Sequence, residues 1–423
     1  MRILILVVNL IAAVVLLELG SGLQGVLVPI RGEAAGFATP VIGALGTTYY
    51  VGFVAGCLLL PRLVERFGHI RCYAALAAVS TSAVLLHALF VVEWAWLTLR
   101  LLFGFSFAGL FMVVESWLND QTTSESRGRV LGTYMVATWI GVIGGKMLFA
   151  VETAQPLQLF SLAAIAIALS IVPVALTTGA VPSIPHPARL SLGELYRLAP
   201  VGLVGCFGVG IANGAFWTFS PLFAQAQTDT ALHVSLFMSA CVLGGMASQW
   251  PLGWLSDRVD RRAVILGAFV AAAAAGVVLA VQTRWVLPPS TMFILGGLYG
   301  AASLAIYSVC VAHANDRADP DAVVAVSSHL LFAFGFGAIV GPFIASLVID
   351  RIGIGALFGF TAAVHAVLAT FAAVRIRRAE PVAEAARTPF TPAPPAGQGT
   401  HAAAALDPAA DPASVTGDGE AGS

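Results

Sequence analysis

Apolar residues in this chain come in long runs, and its polar positions gather in short clusters between them. A helix crosses the hydrocarbon core of a bilayer in about 20 predominantly apolar residues. Windows of that size predict twelve helices, near residues 4–29, 39–61, 71–92, 95–119, 129–151, 157–178, 198–224, 231–254, 262–282, 290–314, 324–349 and 354–376. The first run follows Met1-Arg2 like a secretory signal, but it continues to about Ile30 with no small-residue cleavage site. It is read as the first membrane helix. Six helices precede and six follow a linker over Thr177–Pro200, which carries Pro182, Pro185 and Pro187. Ser191-Leu192-Gly193-Glu194 then has the spacing of a capping box that opens a short surface helix. The expected organisation is a six-helix half over 1–178, a cytoplasmic linker over 179–197 and a second six-helix half over 198–378. Residues 379–423, Ala/Pro-rich and low in complexity, are expected to form a disordered cytoplasmic tail.

Composition agrees with an integral membrane chain. Hydrophobic residues make up 58% and charged residues 10%, with mean hydropathy +0.90. Soluble domains carry roughly 25% charged residues, so most of this chain cannot face water. No basic stretch alternates with aromatic residues, which argues against a nucleic-acid surface. Cys57, Cys72, Cys206, Cys241 and Cys310 fall in or beside apolar runs without C-x-x-C spacing, and read as apolar fillers rather than disulfides or metal ligands. Arginine sets the orientation. Arg2, Arg62, Arg66, Arg71, Arg127, Arg129, Arg189, Arg197, Arg258, Arg261, Arg262, Arg317, Arg375, Arg377 and Arg378 flank one end of the predicted helices. Arg31, Arg284 and Arg351 flank the other. Both termini are therefore expected in the cytoplasm.

The chain also repeats itself. An acid followed by arginine occurs at Glu65-Arg66 and again at Asp257-Arg258, an offset of 192 residues (257 − 65). Pro29 and Pro221 share that offset, as do Gly104 and Gly296. Asn119-Asp120 answers to Asn315-Asp316, and Gly141-x3-Gly145 to Gly337-x3-Gly341, at 196. A duplicated, mostly hydrophobic half is how many secondary transporters are built. The glycine faces at Gly141, Gly144 and Gly145 and at Gly335, Gly337 and Gly341 let helices approach closely. Their matched positions point to helices that slide or rock, against the plainer reading of static packing.

Twelve helices in two halves, with the acid-Arg loop after the second helix of each, resemble the major facilitator superfamily. Its loop pattern Gly-x3-Asp-Arg/Lys-x-Gly-Arg/Lys-Arg/Lys is matched by Gly253, Asp257, Arg258, Arg261 and Arg262, with Asp260 in place of the glycine. The first copy keeps Arg66, Gly68 and Arg71, but has Pro61 and Glu65 at the leading glycine and the aspartate. Val113-Val114-Glu115-Ser116, Arg127-Gly128-Arg129 and Gln249-Trp250-Pro251-Leu252-Gly253 are similar to the YcaD-like branch. The resemblance implies an all-α integral membrane fold of two pseudo-symmetric six-helix halves. It also implies cytoplasmic gating loops built from Glu65, Arg66, Gly68, Arg71, Asp120, Arg127, Arg129, Gly253, Asp257, Arg258, Arg261 and Arg262. Ion pairs among them would latch one orientation; the plainer alternative is ordinary flanking charge.

Charges inside membrane helices cost several kcal/mol unless paired or hydrated, so each needs a reason. Glu18 lies near the middle of the first helix, and Glu115 toward the arginine-rich end of the fourth. Both are proton-coupling candidates: Glu18 against a neutral acid hydrogen-bonded to a neighbouring helix, and Glu115, as a proton or gate residue, against an extension of the latch toward Arg127. Arg100 cannot lose its charge and needs a carboxylate or an anionic ligand. Glu115, fifteen residues on, is about 22 Å away along a helix and cannot pair with it. Lys146 stands where an antiport-type pattern, Gly132, Gly141, Gly145 and then proline, would have the proline. It either snorkels to the outer face or points inward as an ion-pair or ligand group. The resemblance makes the first, fourth, seventh and tenth helices the cavity walls. That adds Gln24, Asn213, Trp217, Tyr299 and Tyr307 as substrate-cavity candidates, against simple packing. His313 and His329 are candidates for hydrogen bonding or proton transfer.

The expected function is secondary active transport of a small organic solute by alternating access, coupled to protons. The expected place is a bacterial inner membrane, with the chain a monomer in the lipid bilayer. No cofactor, metal or nucleic acid is expected. Drug or metabolite efflux by antiport is the alternative, disfavoured by Lys146. A passive channel or non-transporting receptor would not need a duplicated gating loop. A membrane enzyme would need a catalytic motif such as His-Glu-x-x-His or Gly-x-Ser-x-Gly, which the predicted spans lack.

Overall fold

The computed structural model describes residues 2–122, 126–151, 155–177, 191–228, 230–283, 288–319, 322–378, 387–394 and 397–407, with side chains from Val7 onward. Among these, twelve helices are long and apolar enough to cross a membrane. They are α1 (Arg2–Ala34), α2 (Thr39–Phe67), α3 (His69–Leu89), α4 (Glu93–Asp120), α5 (Arg127–Leu148) and α6 (Pro156–Ala175). After the linker come α7 (Pro200–Gln227), α8 (Ala231–Arg258), α9 (Arg261–Gln282), α10 (Pro289–Asn315), α11 (Val323–Ile352) and α12 (Ala356–Ile376). All twelve predicted windows fall on these helices. No strand occurs among the described residues. Helix α6 is interrupted by a turn at Ser170, and α10 by one at Leu304-Ala305. Pro182, Pro185, Pro187, Arg189 and Arg284 lie outside the described residues. The predicted capping box forms: the Glu194 amide donates to Ser191 Oγ at 3.2 Å, and the Ser191 amide to Glu194 Oε2 at 2.8 Å.

The two acid-Arg loops turn by different chemistry. Gly68 sits at φ +85° between α2 and α3, a left-handed conformation that favours glycine. Its counterpart Asp260 has φ −54°, so a side chain is free of strain there. That side chain accepts the Arg262 amide at 3.0 Å and caps α9. The substituted glycine of the second copy is thus a helix cap.

Packing follows the repeat. In the first half α1 packs on α5, α2 on α4 and α3 on α6; in the second α7 packs on α11, α8 on α10 and α9 on α12. Glycine makes the crossings possible. A Cβ at Gly145 would strike the Leu19 carbonyl, and one at Gly341 the Ile211 carbonyl. A Cβ at Gly104 or Gly300 would likewise strike the backbone of α2 or α8. These seams lie inside each half. The glycine faces expected to let helices slide thus pack helices of the same half against one another.

Contacts between halves concentrate elsewhere. Helix α2 meets α11, and α5 meets α8. Thr47 Oγ1 donates to the Ile339 carbonyl at 2.8 Å, and a Cβ at Gly43 would meet the Pro342 carbonyl at 2.7 Å. Trp139 and Val142 of α5 pack on Val242 of α8. The first of these interfaces lies toward the arginine-poor ends of α2 and α11. Toward the arginine-rich end, residues 387–394 and 397–407 stand between the halves, with a 3-10 turn at His401–Leu406 against α4, α5 and α11. Of the stretch 379–423 expected to be a disordered tail, residues 379–386, 395–396 and 408–423 lie outside the described residues; within the described part Ala402, Ala405 and Leu406 are fully buried.

Large apolar side chains such as Leu58, Ile140, Phe336 and Val367 cover the outside of the bundle. Such a surface suits hydrocarbon and would be a liability in water.

Candidate functional site

A cavity of about 100 Å³, partly open to solvent, lies among α1, α2, α4, α5 and α7. Helical periodicity decides which residues reach it. Glu18, Ser21, Gly22, Gly25 and Val28 form one face of α1, and Ile42, Leu45, Gly46, Tyr49 and Tyr50 one face of α2. Arg100 and Phe103 come from α4, Val142 and Lys146 from α5, and Trp217 and Thr218 from α7.

Arg100 is held by oxygen and by ring faces. Its Nη1 donates to Gln24 Oε1 at 3.1 Å and its Nε to the Leu45 carbonyl at 3.4 Å. The guanidinium carbon lies 4.6 Å from the Tyr49 ring centroid and 5.9 Å from that of Phe103. None of its contacts among the described residues is a carboxylate. A half-buried arginine so placed can receive an anionic group.

Lys146 is 3% exposed and lines the cavity, which corrects the snorkelling alternative. Its Nζ stands 4.8 Å from the ring centroid of Trp217, in the other half. A cation over tryptophan is worth about 0.5–1 kcal/mol when exposed and about 2 when desolvated. Glu18 faces the same space, 2% exposed, with no hydrogen-bond partner at Oε1. Glu18 and Lys146 attract one another electrostatically without forming a direct ion pair. Gly141 lets them share the wall: a Cβ there would lie 2.7 Å from the Glu18 Cβ. The cavity therefore offers two cations, one acid, an amide and several aromatic faces, a setting for a small polar organic molecule.

Five sequence candidates stand away from this cavity. Asn213 is buried inside the second half, where its Oδ1 accepts from Ser303 Oγ at 3.3 Å, and Ser303 also meets His365. Tyr299 packs on Phe216 and Phe358. Tyr307 lies under the tail segment and packs on Phe334. His313 contacts Arg317, and His329 Nδ1 stands 2.7 Å from the Ala325 carbonyl one turn earlier. Belonging to a cavity-lining helix does not fix which way a side chain points. Glu115 is also separate, fully buried and bound by Tyr134 Oη at 2.7 Å and the Thr400 amide at 2.9 Å. Sequence reasoning missed Ser21, Tyr49, Tyr50 and Thr218; the spacing of Tyr49 from Leu45 and Ile42 on one helical face was the available signal.

At the arginine-rich end Asp257 pairs with Arg261 at 3.1 Å, Arg261 with Asp316 at 3.2 Å, and Asp260 with Arg262 at 2.9 Å. All of these lie in the second half. Burial raises the Asp316 carboxyl above its ordinary range despite Arg261 and Thr388. Burial also pushes on Asp260, but hydrogen bonds and charge from Arg262 prevail and hold it below. Arg258 stacks at 4.0 Å on Trp254, and Arg66 at 5.2 Å on Phe67. Gly253 is buried under Phe390 of the tail. Glu65, Arg71, Asp120 and Arg129 are exposed, whereas Arg127 is buried.

Two six-helix halves around a central polar cavity define a membrane carrier architecture. The model of the Major Facilitator Superfamily matches residues 10–247 and 202–405, and the chain belongs to that family. It is 27% identical over 361 residues to the uncharacterized MFS-type transporter YcaD of Salmonella enteritidis PT4 (strain P125109), covering 85% of this chain and 92% of that protein. It is similar to the same extent to the uncharacterized MFS-type transporter Ent638_1421 of Enterobacter sp. (strain 638). Among solved structures, the nucleoside transporter NupG superimposes with a TM-score of 0.71 at 14% identity, over 88% of this chain and 99% of that one. The chain is thus a multi-pass membrane protein of a transporter family.

Proposed function

We propose that the chain is a secondary active transporter of the bacterial inner membrane that moves a small organic solute bearing an anionic group. It works as a monomer by alternating access, with both termini in the cytoplasm. Family membership supports transport; the arginine bias supports the orientation; relatives in Salmonella and Enterobacter support a bacterial membrane. One observation carries the solute class: Arg100 lines the cavity with amide and carbonyl oxygens and ring faces about it, and no carboxylate among the described residues. The solute's anionic group meets Arg100, and its body lies against Tyr49, Phe103 and Trp217. Glu18 carries the coupled proton, since it shares the cavity and has a free carboxylate oxygen. Glu115 is the second proton candidate.

The test is thermal stability of the detergent-purified full chain against aromatic and aliphatic carboxylates, neutral sugars and cationic drugs. A ligand that binds only the folded state raises stability in step with its concentration over Kd. A dose-dependent rise confined to carboxylates, lost in Arg100→Gln, is the expected result. A rise confined to sugars or cations, unchanged in Arg100→Gln, overturns the solute class. Uphill uptake of the stabilising carboxylate that survives Glu18→Gln with Glu115→Gln overturns the proton coupling.

A further inference from the structure

Asp257, Arg261 and Asp316 of the second half do not turn to the first half for partners. The tail takes them. Asp257 Oδ1 accepts the Phe390 amide at 3.0 Å, and Asp316 Oδ1 accepts the Thr388 amide at 3.0 Å and its hydroxyl at 3.2 Å. Arg261 donates to the Thr388 carbonyl. The Phe390 ring fills the space above Gly253 that any Cβ would occupy. Further along, Ser308 Oγ donates to the Ala393 carbonyl at 3.0 Å, and the Ala393 amide stands 3.2 Å from the same hydroxyl. Gly397, at φ +91°, reaches the Tyr49 side of the cavity, which it lines with Gln398. Thr400 then crosses to the first half, giving both its amide and its hydroxyl to Glu115.

We infer that the vestibule at the arginine-rich end is a binding site for an extended Pro/Ala-rich peptide, and that residues 387–394 and 397–407 of this chain are its ligand and close the cavity from that side. The chemistry is specific to a peptide. Backbone amides at 388, 390, 393 and 400 are each matched to a fixed acceptor, and Leu406 and three alanines are buried beyond them. The same contacts make the tail a wedge. It is bonded to α8, α9 and α10 on one side and α4 on the other, so the halves cannot meet at this end while it is seated. Its occupancy stands independently of transport. Its inhibitory consequence rests on the alternating-access reading above, because only a carrier has to close this end.

The test uses the full chain with its five cysteines replaced by alanine. Gly25 lines the cavity and a Cβ there meets nothing within 4 Å, so the packing accommodates Gly25→Cys as a labelling reporter. A small charged thiosulfonate is applied to either face, in right-side-out and inverted vesicles. With the tail seated, labelling from the arginine-rich face proceeds only through the undocked fraction. Phe390→Asp with Thr400→Ala should raise that rate by about tenfold or more, as expected when a dominant closed population is lost. A synthetic peptide of residues 387–407 should slow it again. Ser308→Cys with Ala393→Cys, which leaves the remaining tail contacts in place, should form a disulfide under mild oxidation and keep labelling slow. Equal labelling in the seated and undocked chains overturns the inference, as does failure of the disulfide to form. Neither readout uses a solute, so a failure here is distinct from failure of the transport reading.

Discussion

Glu18 and Lys146 face one cavity from α1 and α5, both nearly fully buried, and their coupling can be measured directly. The perturbation is a double-mutant cycle of Glu18→Gln, Lys146→Met and the pair. Two unit charges attract by about 4 kcal/mol at 4 Å and an effective dielectric of 20, and by about half that at 8 Å. The two groups form no direct ion pair, so with Glu18 ionised in an alkaline buffer the coupling is about 1–3 kcal/mol. Lys146→Met should be the costlier single change, about 2 kcal/mol, because it strands a buried acid and also removes the cation over Trp217. Glu18→Gln should cost less, since Lys146 keeps its aromatic partner. The double variant should be close to Lys146→Met alone. The assay is equilibrium denaturant unfolding in detergent, with the wild type and three variants in one buffer. Single costs that add to within about 0.5 kcal/mol would refute the reasoning, since independent sites behave that way.

Three further outcomes follow from the packing and the loops. Gly145→Ala should destabilise by about 1–3 kcal/mol, because its Cβ meets the α1 backbone, whereas Gly25→Ala should stay within about 0.5 kcal/mol; parallel unfolding curves check this. Thr47→Val removes the bond to the Ile339 carbonyl that ties the halves together, and should speed Gly25→Cys labelling from the arginine-poor face by about fivefold, the equivalent of about 1 kcal/mol. Asp260 is held below its ordinary pKa of 3.8 by Arg262, so its contribution is present above that value and is lost as pH falls below it through the lowered folded value. Asp260→Asn keeps the cap but loses the pair. It should cost no more than about 1 kcal/mol at pH 7 after solvent screening, with the gap to wild type closing on acidification; a gap that widens in acid would contradict the assignment.

The twelve helices were legible because burial in lipid demands unbroken apolar runs, and loop charges mark where they stop. The pairing of helices was half legible: the repeated glycines marked close crossings, but their number and spacing could not say whether a seam lies within a half or between halves. Gly145 against Leu19 answers that in space. Lys146 shows the other limit. Counting residues from Arg127 gives its depth along α5, but rotation about the axis decides whether it meets lipid or cavity, and it shares the face of Val142. Asn213 and Tyr299 failed as cavity candidates for that reason. The tail was illegible because a Pro/Ala-rich composition reports the absence of a core of its own. It says nothing of a groove elsewhere with acceptors at the right intervals.

The cavity is markedly lopsided: α1, α2, α4 and α5 furnish most of its wall, while the second half contributes Trp217 and Thr218. In an alternating-access cycle a solute bound there rides with one body as the other swings past. Its grip on Arg100, Gln24 and Tyr49 is then the same before and after the swing. Whatever difference in affinity separates loading from release must come from the contacts that the swing breaks. Lys146 over Trp217 crosses the divide. That bridge, set in the cavity itself, is the place to look for the ratchet's tooth.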